Sequence, residues 1–435
     1  MSSASTVDAH GGVTGSATAQ VRALAVVPLL VYAVLTQLDA LGNRLSAYSP
    51  IGTTPLLLGA LVAATGAMLL LPGASRRLGE TMGARLVAAL FCWAVFCWAL
   101  SRHQSEGLTY LGKLAAALLP AFCLFIIADT PVRLRAVLCA IVAAGAVSAA
   151  IVLVEHHTHA RLLSTSVAAT TAGFEGVARS AGGSDENPTT AAQMLLVSIL
   201  IAAAWLFSGE RRWRWPLAAL VAAGALALVF MSARSALIGL AAGAALIALG
   251  FRRRGFFPLL VVGGIVALLG AVPFLPPTLV DRFTAIGDFG QDPTLYRRIS
   301  YLRIGWDLFQ QSPVWGVGPG NFPLYYVTDA YRWMPGREPF PRELHNTYLD
   351  AATELGAIGF LLFAATLGHA LRAAWRGAGS IDPVLRRTAR AAGIALAGLM
   401  VACFFMPHKD LRYLWLIAGI AIQSGRLSSR PGEAA

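Results

Sequence analysis

A chain of 435 residues that is 57% hydrophobic and only 13% charged, with a mean hydropathy of +0.64, is too apolar for a soluble globular protein. Its net charge of +12 comes without any RNA- or DNA-binding motif, and much of it sits in short gaps between apolar runs. This reads as a topology signal with affinity for anionic membrane lipids, and it excludes nucleic acid as a partner.

A membrane-crossing helix takes roughly 20 mainly apolar residues at a rise of about 1.5 Å each. Such runs are expected near 22–40, 55–72, 84–101, 108–128, 134–155, 190–208, 214–231, 234–250, 256–275, 347–372, 387–406 and 411–425. The pattern predicts an all-α polytopic membrane protein of about 12 transmembrane helices, with one transmembrane domain over 22–425. Short cytoplasmic tails are expected at 1–21 (disordered, with no cleavable-signal pattern) and 426–435. From a cytoplasmic start, the clusters Arg76, Arg77 and Arg85; Arg133 and Arg135; Arg211, Arg212 and Arg214; Arg252, Arg253 and Arg254; Arg372 to Arg390; and Arg426 and Arg430 all fall on the inner side, as the positive-inside bias requires. Two long loops, 156–189 and 277–346, then lie on the exported side. All five cysteines fall inside expected spans, so no disulfide framework is implied.

Within the fourth run, Lys113 is the main candidate for a cation set deeper in the bundle. The first exported loop opens with His156, His157, His159 and Arg161. Three histidines invite a metal, yet adjacent residues cannot face one site from a regular helix, and no metal is expected. The loop closes through Arg179, the run Ser180 to Ser184, and Asn187-Pro188, which breaks the chain and caps a helix from about Thr189. Arg179 is therefore expected beside a helix N-terminus suited to phosphate. Arg234, in the short turn Met231 to Ser235, is held at the lipid boundary either as an anion ligand or as an interface anchor, with the flanking serines able to cap the next helix.

The late loop carries seven arginines on the side where topology does not ask for them, so they are expected to meet an anion. An amphipathic helix is predicted over Leu295–Gln311, with Leu295, Ile299, Leu302, Trp306 and Phe309 as its apolar stripe and Arg297, Arg298, Asp307 and Gln310 away from it. The turn residues Pro313 to Asn321 read as a structural reversal. Beyond Arg342, either Asn346 or Thr347 is placed to cap the next helix, which leaves His345 at its N-terminal mouth. That position disfavours imidazolium, so His345 is expected to be neutral and able to take a proton. Asp350 and Glu354, one turn apart, are expected to point into the bundle, either as structural hydrogen-bonding carboxylates, the favoured role, or as substrate contacts.

The phrase RISYLRIGWDLFQQSPVWGVGPGNF (Arg298 to Phe322), followed by HNTYLDAATELGAIGF (His345 to Phe360), resembles the shared signature of the O-antigen ligase and polymerase superfamily of bacterial membrane glycosyltransferases. So do the Gly-rich turn into Asn187-Pro188 and MSARSA around Arg234. The resemblance implies an enzyme of the bacterial inner membrane that works on the periplasmic face without metal or cofactor. It would take a glycan from undecaprenyl diphosphate and join it to a hydroxyl. The family's essential arginines fall on Arg234 and Arg298 and its essential histidine on His345. Arg179, Arg297, Arg342, Lys113 and Asn346 are the candidate substrate contacts.

Chemistry and resemblance agree on a mechanism. Fixed guanidinium groups stabilise the charge that develops on a diphosphate leaving group, and neutral His345 acts as general base toward the acceptor, with inversion at the anomeric carbon. The favoured acceptor is lipid A-core oligosaccharide, which makes the chain a ligase. A polymerase or a protein O-oligosaccharyltransferase differs only in acceptor. A transporter or flippase of lipid-linked glycans is the alternative from another class, though such proteins place their charges near the membrane midplane.

Overall fold

The computed structural model describes residues 18–46, 52–71, 81–163, 167, 179–208, 211–250, 252 and 293–429. The expected span near 256–275, the first part of the late loop, residues 168–178 and the tails 1–17 and 430–435 lie outside the described residues. Among the described residues there is helix and no strand. In order come α1 (Val26–Leu35), α2 (Asp39–Ser46), α3 (Thr53–Leu69), α4 (Met82–Leu100), α5 (Gln104–Ile127), α6 (Pro131–Thr158) and α7 (Pro188–Ser208). These are followed by α8 (Arg214–Phe230), α9 (Arg234–Leu249), α10 (Pro293–Gln311), α11 (Phe322–Tyr326), α12 (Thr347–Ala378), α13 (Pro383–Ala402) and α14 (Arg412–Ser428).

Seven described helices are long and apolar enough to cross a membrane: Thr18–Leu35, which ends in α1, then α4, α5, α6, α7, α12 and α13 with its extension to Phe405. α3, α8 and α9 are shorter apolar helices. Every expected span except 256–275 falls on one of these helices or on α14, so the chain is an all-α polytopic membrane protein. Helix starts follow local chemistry. Thr130 accepts a hydrogen bond from the Arg133 amide ahead of Pro131, and Asp382 accepts from the Val384 and Leu385 amides ahead of Pro383.

α14 is buried from Tyr413 to Gly425, and α7 is buried over nearly its whole first two-thirds. A helix that is apolar all round belongs inside a bundle, and these two form its axis. α12, α13 and α5 pack around α14, while α13, α8 and α9 pack around α7.

α12 is interrupted at Gly356, whose φ of 69° is open to glycine at little cost. The interruption frees backbone carbonyls, and neighbouring segments satisfy them. Val317 N donates to Thr353 O at 2.9 Å and Gly318 N to Glu354 O at 3.0 Å, while the Trp93 indole donates to Leu355 O at 2.8 Å. The turn 313–321 is therefore the piece that seals this break, with Gly316, Gly318 and Gly320 all at positive φ. The Glu354 carboxylate completes the seal by accepting from Gly320 N at 2.5 Å and Phe322 N at 3.0 Å.

α10 lies where the amphipathic helix is expected, but its buried face differs. Tyr301, Ile304 and Leu308 are buried against Phe322, Tyr326, Tyr331 and Leu344, whereas Leu302 is 43% and Trp306 53% exposed. The helix carries two apolar stripes. The one with tyrosine hydroxyls goes inward, where Tyr331 donates to Asp307 at 2.6 Å, and the purely apolar one faces outward.

Candidate active site

The gaps expected on the exported side meet at one end of the bundle. Asn43 donates to Asp185 at 2.7 Å, Arg179 to the Met231 carbonyl at 3.4 Å, and Thr347 to the Met406 carbonyl at 2.6 Å, while the rings of His103 and Tyr325 stand 5.5 Å apart. A cavity of about 1000 Å³ opens among them. The N-termini of three long helices line it: Asn187 and Thr190 of α7, His345 ahead of α12, and Leu411 and Arg412 of α14. Each terminus brings the positive end of a helix dipole, a setting suited to an anion, while Asn187 and Asn346 hold the first-turn amides of α7 and α12. A side pocket of about 140 Å³ shares Thr109, Lys113, Glu343, Pro407 and Asp410 with it.

His345 is placed by its own backbone. Its φ of 57° is rare for a residue with a side chain and turns the chain just before α12. Asn346 is the N-cap, its Oδ1 accepting from the amides of Tyr348 (3.0 Å) and Leu349 (3.1 Å). Nδ1 of His345 lies 2.7 Å from the Glu343 carbonyl. A carbonyl only accepts, so Nδ1 carries the proton and Nε2 keeps its lone pair. Burial, and then the guanidinium groups of Arg298, Arg342 and Arg297, push the imidazole down to about 4, and the hydrogen bond to Glu343 opposes them only in part. The ring is neutral at physiological pH.

The arginines fall into two groups. Arg297 and Arg342 share the Glu338 carboxylate, at 3.2 and 2.6 Å, and with Arg298 they bring positive charge against His345. Arg342 lines the cavity, as does Lys113. The second group lies one layer away, around the turn into α9. Buried Arg179 donates to Thr189 Oγ1 at 3.2 Å and to the Met231 carbonyl, which ties the start of α7 to the turn that carries Arg234. Arg234 is the first residue of α9 and is half-buried. Neither serine caps α9: Ser232 sits at φ 49°, and Ser235 accepts instead from Gln193 at 2.7 Å.

The histidines of the first loop are turned to other uses. His156 stacks on Phe230 with ring centroids 3.6 Å apart, and His159 ends α6 in the left-handed region. Among the described residues no three His, Cys, Asp or Glu side chains are placed to share a metal ion.

Sequence reasoning missed the gap between α13 and α14, Pro407 to Leu411. Lys409 is buried and pairs with Asp350 at 2.7 Å and with Glu354. Its ammonium is raised: burial works against the charge, and the two carboxylates outweigh it. Asp350 and Glu354 are thus the two carboxyl partners of Lys409 in a buried triad. Beside them Asp410 and Glu343 face the cavity. Water reaches Glu343, yet the enclosing walls desolvate its carboxyl and push it up to about 6, with Asp410 next among the causes. Glu186, across the cavity, is pushed up to about 7 by burial and then by Asp39.

The described helices therefore form a membrane bundle with a polar cavity at one end, lined by three helix N-termini, Lys113, Arg342 and Arg412. Residues 218–364, about a third of the chain, match the family model described as O-Antigen ligase, so this segment is similar to the O-antigen ligase superfamily. The match implies a glycosyltransferase-like membrane enzyme of the O-antigen ligase type, a class whose substrates are lipid-linked glycans. Arg234, Arg298 and His345 all lie within the matched segment. No curated protein matches the chain.

Proposed function

We propose that the protein is an O-antigen ligase of the bacterial inner membrane. It transfers a glycan from undecaprenyl diphosphate to a sugar hydroxyl of lipid A-core oligosaccharide on the periplasmic face. The observation that carries this reading is the convergence of three helix N-termini on one cavity that holds neutral His345 and Arg342 together. The positive ends of the helix dipoles and the arginines take the diphosphate, in the place a divalent cation would otherwise fill. The carboxyl groups of Glu186, Glu343 and Asp410 suit sugar hydroxyls in the same space.

In the reaction the acceptor oxygen attacks the anomeric carbon as its proton passes to Nε2 of His345. The glycosidic bond forms, the bond to the diphosphate oxygen breaks, and undecaprenyl diphosphate leaves with the electron pair. Attack opposite the leaving group inverts the anomeric centre. Arg298, beside His345, and Arg234 stabilise the departing charge, and Arg179, Arg297, Arg342, Lys113 and Asn346 shape the donor site. A cavity at one end of the bundle supports an enzyme over a carrier, whose site would sit at the midplane.

Purified protein incubated with undecaprenyl-diphosphate glycan and lipid A-core in EDTA should yield a slow-migrating glycolipid. Transfer only to carrier-linked glycan would make it a polymerase, transfer only to a pilin would make it a protein glycosyltransferase, and loss of transfer in EDTA would remove the metal-independent mechanism. Cysteines introduced at 160–163 and 329–340, but not at 211–214, should react with an impermeant thiol reagent in spheroplasts.

A further inference from the structure

His408 has no part in the chemistry above, yet it is 1% exposed and lines the same cavity as His345. Its backbone amide donates to Thr347 Oγ1 at 2.9 Å, and Thr347 is the first residue of the helix that His345 precedes. On the other side its Nε2 meets Gln193 Oε1. Gln193 uses its amide nitrogen to donate to Ser235 Oγ at 2.7 Å and to the Ala402 carbonyl at 3.4 Å, which leaves its oxygen facing Nε2, while His408 Nδ1 lies 3.0 Å from the Pro407 carbonyl. Ser235 is the neighbour of Arg234. Thr347, Gln193 and Ser235 are 0%, 0% and 4% exposed, so no water competes for these bonds.

We propose that His408 is a positioning residue. Through the buried chain Thr347–His408–Gln193–Ser235 it clamps the start of α9, with Arg234, to the start of α12, with His345. The proposal rests on the ligase reading, which gives Arg234 and His345 their roles. Four segments far apart in sequence (α7, α9, α12 and the α13–α14 gap) meet in this one chain, and a bulk apolar contact would not fix their register so closely. A buried polar chain does, because each link lost leaves a partner unsatisfied. Burial also keeps the His408 ring neutral, down to about 4, so at working pH the chain carries no charge of its own to disturb His345.

The test uses the full-length protein in lipid nanodiscs, comparing wild type with His408→Ala, His408→Gln, Ser235→Ala and the double variant His408→Ala/Ser235→Ala. His408→Ala should lower kcat at least tenfold while leaving the donor KM within a few-fold, because the cavity still binds the diphosphate. The double variant should lose no more than His408→Ala alone, and His408→Gln, which still donates to Gln193, should recover most of the rate. Hydrogen exchange in His408→Ala should rise over residues 231–236 and stay unchanged in α6. Losses that multiply in the double variant would overturn the chain, as would a lowered melting temperature with kcat intact. If wild type transfers no glycan to any acceptor, the ligase reading falls. The exchange measurement then decides alone, and unchanged exchange over 231–236 would sink the clamp.

Discussion

Tyr301 and His345 lie ring on ring, their centroids 5.1 Å apart and their planes 21° from parallel. Tyr301 stands one turn beyond Arg298 on α10, so the stack sets the distance between the proposed base and one of the proposed diphosphate ligands. Tyr301→Phe should transfer glycan at close to the wild-type rate. Tyr301→Ala should lose up to about tenfold in kcat, the ~1.4 kcal/mol at the upper end of an aromatic pair, and should also lower the melting temperature because Tyr301 is buried.

His345 should act as base across the physiological range. Its value near 4 means that kcat/KM stays flat from neutral pH downward and falls only as pH drops toward about 4, where the ring protonates. His345→Ala and His345→Asn should each lose about 10² to 10⁴ in kcat while still binding undecaprenyl diphosphate. Normal turnover in His345→Asn would remove the base assignment. The same depression acts on stability. His345 and His408 stay neutral when folded, so their contribution is present above the ordinary histidine value of about 6.5 and is lost as pH falls through about 4.

Arg234→Ala and Arg298→Ala should each lower kcat by about 10² to 10³, the range seen when one donor to a developing anion is removed. Lys should restore little at either position, because it lacks the planar fork of a guanidinium. Membrane insertion, read by protease protection, should be unchanged. Full activity in either alanine variant would remove that arginine from the mechanism.

Glu343 shows the opposite sign of linkage. Its folded value near 6 lies above the unfolded value of about 4.3, so the stability tied to it is complete below about 4.3 and is lost as pH rises through about 6. Glu343→Gln should therefore raise the melting temperature relative to wild type at pH 8 and leave it unchanged at pH 4. A gain that is equal at both values would contradict the burial of this carboxyl.

Lys409 is the only cation bonded to buried Asp350 and Glu354 among the described residues. Lys409→Met should cost about 3–5 kcal/mol, since it leaves two buried carboxylates without a counter-charge. Asp350→Asn in the same background should recover part of the loss, as measured by thermal unfolding in detergent.

The helices were legible because apolar runs of span length leave little choice in a membrane, and His345 because Asn346 announces the helix that follows it. Three features were not legible, each for a different reason. The gap Pro407 to Leu411 is too short to read as a site, although Lys409, Asp410 and Arg412 crowded between two apolar runs were a signal. On α10 the stripe through Leu302 and Trp306 is as apolar as the one through Ile304 and Leu308, and periodicity cannot say which meets protein and which meets lipid. The break at Gly356 reads in sequence as one glycine in a long helix, and the partners that satisfy its freed carbonyls, Val317, Gly318 and Trp93, lie far from it in the chain.

That break divides α12 into two mechanical parts. The long apolar part tilts with the thickness of the bilayer around it, as any span must when lipid and hydrophobic length disagree. The short part ahead of Gly356, capped by Asn346 and pinned through Glu354, is anchored to the turn 313–321, which also takes the Ala357 amide on Pro313 O at 2.8 Å. With residues 353–357 held by that turn on both sides of the break, a change of tilt farther along the helix should leave His345 in its place in the cavity.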